Sequence, residues 1–105
     1  MTYDIRLTKR ADNDFSQLGK VEMQKAAQAL VKLKTDPYAG HTLSGRLSGA
    51  RSLEFSAPGG AYRAAYVVRE DLGRCVVFLV GSHENFYILA ERRYEALEKL
   101  HKPEA

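Results

Sequence analysis

The chain of 105 residues can bury one hydrophobic core but not two, so we expect a single domain over residues 1–105. Its composition, 45% hydrophobic and 28% charged, is typical of a globular protein and excludes a disordered tail. No apolar run approaches the ~20 residues of a membrane-spanning helix, and the N-terminus lacks a secretory signal pattern. We therefore expect a cytoplasmic protein without a membrane partner. The single cysteine, Cys75, excludes intrachain disulfides and four-cysteine zinc sites.

The net charge of +3 is unevenly distributed along the chain. Residues 17–69 carry eight basic and three acidic side chains, a local balance of +5. A basic segment on a small domain is typical of proteins that bind a polyanion such as a nucleic acid. The alternative is a charged surface that serves only solubility.

The first third of the chain predicts a strand followed by two helices. Tyr3–Leu7 alternates apolar and polar residues, as a half-buried strand does, and Thr8 can cap the helix that follows. We expect Gly19 to end this first helix and a second helix to run over 21–34. Helices joined by so short a link form an antiparallel hairpin.

The rest of the chain predicts a loop, three strands and a final helix. A turn at 36–40 leads into a polar loop over 41–49, and the last helix runs over 86–100. The predicted strands are Ser52–Ala57, Tyr62–Arg69 and Arg74–Val80. This order predicts an α+β fold, with an N-terminal helical hairpin and a C-terminal helix on a small, largely antiparallel sheet.

Several common site types are excluded by their missing motifs. No GxGxxG, P-loop or GxSxG pattern occurs, so we expect no nucleotide cofactor and no nucleophile-elbow hydrolase. The histidines His41, His83 and His101 lack metal-ligand spacing, so we expect no metal site. Cys75 lies in an apolar run, which predicts a buried, unreactive thiol.

Five polar or aromatic residues remain as candidates for chemistry. If the second and third strands form a hairpin, their alternation places Glu54 and Arg63 on one open face. His41 lies in the loop before the sheet and His83 follows the last strand. Tyr87 comes four residues later, at the start of the last helix, where free N–H groups favour anions.

These residue types suit the cleavage of RNA without a metal ion. The 2′-hydroxyl attacks the adjacent phosphorus, which requires a base, an acid for the leaving oxygen and a cation for the phosphoryl charge. His41 and His83 can serve as base and acid near neutral pH. Arg63 supplies positive charge, helped by Arg46 or Arg51, and Tyr87 can stack on a base or hold the phosphate.

Each candidate also has a purely structural explanation. A histidine at a strand end is often only hydrogen-bonded. In the structural explanation, Glu54 and Arg63 form only an ordinary cross-strand ion pair, which contributes ~0.2–1 kcal/mol to stability. Tyr87 then belongs to the core, with Ala90, Tyr94 and Leu97.

Five short segments occur in an order and spacing typical of one toxin superfamily. They are Tyr3–Thr8 with the lysine that follows, Leu30–Pro37, Leu43–Gly49, Ala61–Tyr66, and Val80–His83 with Tyr87. From Tyr3 to about Arg93 the chain resembles the RelE/ParE superfamily, the toxins of bacterial type II toxin–antitoxin modules. The resemblance implies a RelE-like microbial ribonuclease fold and two unrelated activities. RelE-type members cut mRNA in the ribosomal A site, whereas ParE-type members inhibit DNA gyrase.

The resemblance favours a ribosome-dependent mRNA endonuclease. His41 corresponds to a catalytic position of the YoeB and YafQ branches, and His83 to the catalytic histidine of the YafQ type. Arg63 corresponds to the arginine that contacts the scissile phosphate, and Glu54 to a further polar position of the YafQ site. Which histidine is the acid and which the base stays open. Leu79 stands where related sequences often carry a basic, phosphate-binding residue.

The implied partners are a cognate antitoxin, mRNA, and the 30S A site with its 16S rRNA. The residues expected to contact RNA are Lys20, Lys25, Lys32, Lys34, Arg46 and Arg51. The antitoxin is expected to wrap the basic surface, and no small-molecule cofactor is expected. The alternatives are a ParE-type gyrase inhibitor without nuclease activity and a member that only binds an antitoxin and DNA.

Overall fold

Five strands form one sheet in the spatial order β1-β5-β4-β3-β2. The strands are β1 (Asp4–Leu7), β2 (His41–Thr42), β3 (Arg51–Ala57), β4 (Gly60–Arg69) and β5 (Arg74–Ser82). β1 pairs with β5 in parallel, and every other neighbouring pair is antiparallel. This computed structural model describes residues 2–82 and 84–101, without the side chains of residues 100 and 101.

Helices cover both faces of the sheet. α1 (Lys9–Ser16) and α2 (Lys20–Val31) pack on one face, and α3 (Phe86–His101) packs on the other. The hairpin-side core contains Ala11, Ala26, Leu30, Leu53, Ala64, Tyr66 and Val77, among others. The α3-side core contains Leu47, Ala65, Val67, Phe78, Leu79, Phe86 and Leu97, among others. The predicted α+β architecture is confirmed. None of the helices in the described residues could cross a membrane.

The link between α1 and α2 differs from the prediction. Thr8 caps α1 as expected, because its Oγ1 accepts a hydrogen bond from the Ala11 N–H at 3.1 Å. Gly19 does not end α1, which closes at Gln17. Instead Gly19 is the extended N-cap of α2, and its carbonyl accepts from the Met23 N–H at 2.8 Å. Leu18 turns towards the hairpin-side core between the two helices, so the helical path breaks before the glycine.

The predicted loop over 41–49 is partly a strand. His41 and Thr42 form β2, because they pair with Ser52 and Arg51 at the edge of the sheet. A 3₁₀ turn, Gly45–Leu47, follows and inserts Leu47 into the α3-side core. His41 is therefore held by sheet hydrogen bonds and does not belong to a free loop.

A β-bulge interrupts the pairing of β4 with β5, because β5 has one extra residue there. Ala65 pairs with Leu79 and Tyr66 pairs with Val77, so Phe78 has no partner in the register. This bulge directs both Phe78 and Leu79 into the α3-side core. Beyond it, Gly81 lies opposite Arg63. Leu79 is 3% exposed and packs in the core, so its position presents no side chain to a substrate.

Tyr66 holds the turn before β2. Its buried hydroxyl accepts from the Gly40 N–H at 2.9 Å and donates to the Pro37 carbonyl at 2.8 Å. A Cβ at Gly40 would lie 2.7 Å from that hydroxyl and 2.8 Å from the Ser52 carbonyl, so only glycine fits. Burial raises the pKa of Tyr66, which keeps the hydroxyl protonated and able to donate. The next residue is His41, so Tyr66 fixes where β2 begins.

We expect Tyr66→Phe to lower the free energy of unfolding by about 1–3 kcal/mol, because it leaves two buried backbone groups unpaired. Urea denaturation measures the change. The matched control is Tyr62→Phe, whose ring stacks on Phe55, and it should stay within about 0.5 kcal/mol of the wild type. Equal losses in the two variants would contradict the role of the Tyr66 hydroxyl.

Cys75 is fully buried, as predicted, and burial raises the pKa of its thiol from 9.0 to about 11. At a pH between 9 and about 11, the Cys75 thiol is protonated in the native protein and deprotonated in the unfolded chain. Its stabilisation is therefore complete below pH 9 and is lost as the pH rises towards 11. Between these values the wild type should lose up to about 1.4 kcal/mol more per pH unit than Cys75→Ala. Urea denaturation at several alkaline pH values tests this, and parallel pH profiles would contradict it.

Candidate active site

Polar side chains converge on the part of the α3-side face that α3 leaves open. Glu54 of β3 pairs directly with Arg63 of β4, and Arg63 pairs with Gly81 of β5. His41 of β2 pairs with Ser52, two residues before Glu54. Since paired and alternate residues point to the same side of a sheet, His41, Ser52, Glu54 and Arg63 share this face. The predicted common face of Glu54 and Arg63 is confirmed.

Arg63 is the centre of this group. Its Nη2 lies 3.0 Å from Glu54 Oε1, and its Nη1 donates to the Tyr87 hydroxyl. Its guanidinium carbon lies 5.5 Å from the centroid of the Tyr87 ring, a cation–π distance. The Arg63 side chain is 17% exposed and the Glu54 side chain 50% exposed. A carboxylate and a phenol thus orient a nearly buried cation that still reaches the surface.

Tyr87 is presented to solvent rather than packed in the core, so its structural explanation is wrong. It is 39% exposed, whereas its neighbour Phe86 is 2% exposed. Phe86 packs in the α3-side core and meets the Tyr87 ring edge to face, with centroids 5.5 Å apart. Phe86 therefore anchors the first turn of α3, and the ring of Tyr87, one position later, lies over the Arg63 guanidinium.

His41 flanks the site from the edge of the sheet. It is exposed and lies two strands from Arg63, about 10 Å across the sheet by the usual strand spacing, with a further offset of two residues along the strands. Between them is Ser52, which is 2% exposed and whose Oγ has no hydrogen-bond partner among the described residues. Sequence reasoning missed Ser52, although its alternation with Glu54 was visible. The predicted site residue His83 lies outside the described residues.

Arg51 does not reach Arg63, so its expected help to that residue is wrong. It lies on the hairpin side of the sheet, opposite Tyr66. Its Nη1 donates to the carbonyls of Gly40 at 2.6 Å and Tyr38 at 3.2 Å, and its guanidinium lies 4.9 Å above the Tyr38 ring. The Tyr38 hydroxyl bonds Glu70, which raises the pKa of Tyr38 to about 12. Arg51 is thus engaged in holding the turn before β2.

The other basic residues lie apart from Arg63. Arg46 is exposed on the 3₁₀ turn beside α3, on the same face of the sheet as the candidate site. The lysines of α2 and its 3₁₀ extension are exposed, but that helix covers the opposite face. They are Lys20, Lys25, Lys32 and Lys34. The predicted RNA contacts therefore divide between two sides of the molecule.

The arrangement of Arg63, Glu54 and Tyr87 is suited to binding a phosphodiester. A guanidinium can donate several parallel hydrogen bonds to phosphoryl oxygens, and the exposed Tyr87 ring beside it can stack on a base. Glu54 orients the guanidinium and lies close enough to accept a proton from a ligand held there. Within residues 2–82 and 84–101, no three His, Cys, Asp or Glu side chains are grouped as metal ligands would be.

Comparisons with known proteins agree with this fold. A RelE toxin from Escherichia coli, a mutant in the free state, is 21% identical with a TM-score of 0.73, covering 92% of this chain and 99% of its own. The RelBE2 toxin–antitoxin complex of Mycobacterium tuberculosis gives 25% identity, a TM-score of 0.65, and coverage of 79% and 100%. The RelE–RelB complex of Pyrococcus horikoshii gives 16%, 0.58, and coverage of 80% and 98%.

No curated protein matches the chain. Residues 5–90 match the family model described as the ParE-like toxin of the type II bacterial toxin–antitoxin system. The fold shared with RelE toxins and this match support the resemblance inferred from the sequence. Because the match spans most of the chain, the protein belongs to the ParE-like toxin family of type II toxin–antitoxin systems, within the RelE/ParE superfamily.

Proposed function

We propose that this toxin is a ribosome-dependent endoribonuclease that cuts mRNA in the ribosomal A site by metal-independent acid–base catalysis. The observation that carries the proposal is the Arg63 guanidinium, oriented by Glu54 and Tyr87 at an open face of the sheet. A cation held in a fixed orientation can stabilise the negative charge that develops on the phosphoryl oxygens during phosphodiester cleavage.

In the proposed reaction the 2′-hydroxyl oxygen of the substrate attacks the adjacent phosphorus. A base removes the hydroxyl proton, the bond to the 5′-oxygen breaks, and an acid protonates that oxygen, leaving a 2′,3′-cyclic phosphate. Arg63 stabilises the charge on the non-bridging oxygens, and Tyr87 positions the nucleotide. Since Leu79 is buried, this charge stabilisation falls to Arg63.

The proton transfers are assigned to His41 as the general base and His83 as the general acid, and the reverse assignment is the alternative. His41 can reach the ribose only if the substrate lies across Ser52 and Glu54, because it is two strands from Arg63. Glu54 is much closer to Arg63 and is the competing candidate for the base. The YoeB/YafQ-like assignment rests on His41 and His83 together.

Partners follow from the relatives and the charge distribution. The solved relatives include toxin–antitoxin complexes, which supports a cognate antitoxin for this chain. The lysines of α2 and Arg46 are proposed to contact rRNA phosphates, which makes ribosome binding sensitive to salt. Contacts on both faces of the sheet would let the toxin fill a site enclosed by RNA.

The second candidate function is inhibition of DNA gyrase without nuclease activity. The description of the matching family as ParE-like favours it. One fold can support both activities, so the site and not the fold must decide between them. A gyrase inhibitor would stay toxic when Arg63, Glu54 or Tyr87 is substituted.

Purified toxin added to a ribosome-containing translation reaction should produce new mRNA 5′ ends at A-site codons, mapped by primer extension. Arg63→Ala should lower the cleavage rate by about 10²–10³-fold, because it removes the cation at the scissile phosphate. Arg6→Ala is the matched control, since Arg6 pairs with Asp4 on β1, away from the site. Intact mRNA together with blocked DNA supercoiling by gyrase would overturn the proposal in favour of the second candidate.

His41→Ala and His83→Ala should each lower cleavage by about 10²–10⁴-fold while leaving the fold and antitoxin binding unchanged. His101→Ala near the C-terminus is the control and should cut normally. The pH profile of each variant should lose one limb of the wild-type bell, which identifies the acid and the base. Full toxicity of His83→Ala would contradict its assignment. Loss of activity in Glu54→Gln but not in His41→Ala would move the base to Glu54.

A further inference from the structure

β5 extends beyond the strand that pairs with its outer edge. β1 pairs with Arg74–Val77, and the Thr8 N–H then donates to the Val77 carbonyl at 2.9 Å before the chain turns into α1. Among the described residues no strand continues along that edge over Phe78–Ser82. The outward backbone groups of this segment therefore need other partners, because buried unpaired groups are costly.

Asp14 of α1 and Arg93 of α3 supply those partners. Asp14 Oδ2 accepts from the Val80 N–H at 3.0 Å, and Arg93 Nη1 donates to the Phe78 carbonyl at 3.2 Å. The two side chains also bond each other, with Arg93 Nη2 3.1 Å from Asp14 Oδ1 and a second contact from Nη1. They are only 17% and 15% exposed. A nearly buried ion pair thus takes the place of the missing strand.

The position of this ion pair links it to the candidate site. It bonds the backbone on either side of Leu79, at the bulge that sets Gly81 opposite Arg63. Arg93 is less than two helical turns from Tyr87 on α3. Both the strand beside Arg63 and the helix that carries Tyr87 are therefore held by the same two side chains.

We infer that Asp14 and Arg93 are positioning residues for the site of Arg63 and Tyr87, an inference that rests on the proposed function. They set the end of β5 and the start of α3 at the separation that lets the Tyr87 hydroxyl accept from Arg63. Both side chains are turned towards the end of β5, where they bond the Val80 N–H and the Phe78 carbonyl. Their effect on cleavage is exerted through the Arg63–Tyr87 contact.

The charges around Asp14 make it the more sensitive member of the pair. A cleft of about 400 Å³ between α1 and α3 is lined by Arg10 and Arg92 as well as by Asp14 and Arg93. Asp14 is the only carboxylate among the residues that line this cleft. Without it, three guanidinium groups face one another, and like charges at close range repel. Loss of Asp14 should therefore separate the first turns of α3 from α1.

The first test measures the positions of β5, Arg63 and Tyr87 and does not depend on catalytic activity. In Asp14→Ala, amide hydrogen exchange over residues 79–82 should accelerate at least about tenfold, with little change in β1 and in the second half of β4, which pairs with the part of β5 that β1 covers. The Arg63 Nε–Hε resonance and the Tyr87 ring signals should shift in the same variant. Asp12→Ala, an exposed acidic residue on the same helix, is the matched control and should change neither. Site signals unchanged in Asp14→Ala would overturn the inference.

Asp14→Asn covers the case in which the alanine variant does not fold. The asparagine oxygen can still accept from Val80, but the negative charge is lost, so the same signals should shift by a smaller amount. Arg93→Lys keeps the positive charge but removes the guanidinium, whose several N–H groups bond Asp14 and the Phe78 carbonyl at the same time. Folded forms of both variants with wild-type Arg63 and Tyr87 signals would equally overturn the inference.

The second test measures single-turnover cleavage on ribosomes. Asp14→Ala should cut about 10–100-fold more slowly, with ribosome affinity changed less than about threefold, because positioning and not binding is lost. In a Tyr87→Phe background the same substitution should have a much smaller effect, since the two changes disrupt one contact. Fully multiplicative losses would overturn the inference. A wild type that does not cut would refute the proposed function alone, and the resonance and exchange measurements would still decide the positioning role.

Discussion

β4 is buried on both faces, and the register of the whole sheet depends on this constraint. Ala64, Ala65, Tyr66 and Val67 alternate between the two cores and are at most 2% exposed. A slip of one residue would exchange every side chain between the cores, at a cost no local contact could offset. Arg63 immediately precedes this run, so its side chain must emerge on the α3 side, where Glu54 and Tyr87 meet it.

Buried polar contacts then set the parts of the site that hydrophobic packing leaves free. Non-directional packing holds the helices on the sheet, but it does not determine where β2 begins or how β5 ends. Tyr66 bonds the Pro37–Gly40 turn, and Asp14 and Arg93 bond the end of β5. Together these side chains bond backbone groups that have no strand partner, so removing one of them leaves buried polar groups unpaired.

The candidate site has one central cation among the described residues. Leu79, where the resemblance implies a basic residue in many members, is directed by the bulge into the α3-side core. Positive charge at the candidate site is therefore concentrated on Arg63, and Glu54 neutralises part of it from 3.0 Å away. A carboxylate at that distance reduces the net positive charge offered to an anion and fixes the orientation of the guanidinium.

The sequence by itself determined the three helices, four of the five strands and the shared face of Glu54 and Arg63, because helical periodicity, strand alternation and the Thr8 cap are local properties. It could not separate Arg63, on a predicted strand, from Arg51, which directly precedes one, and only the assembled sheet shows Arg51 bonded to Gly40. The Asp14–Arg93 pair joins residues 79 positions apart and leaves no periodic signal. Such contacts are decided by which side chains the tertiary fold brings to the same unpaired backbone, and that depends on the whole chain at once.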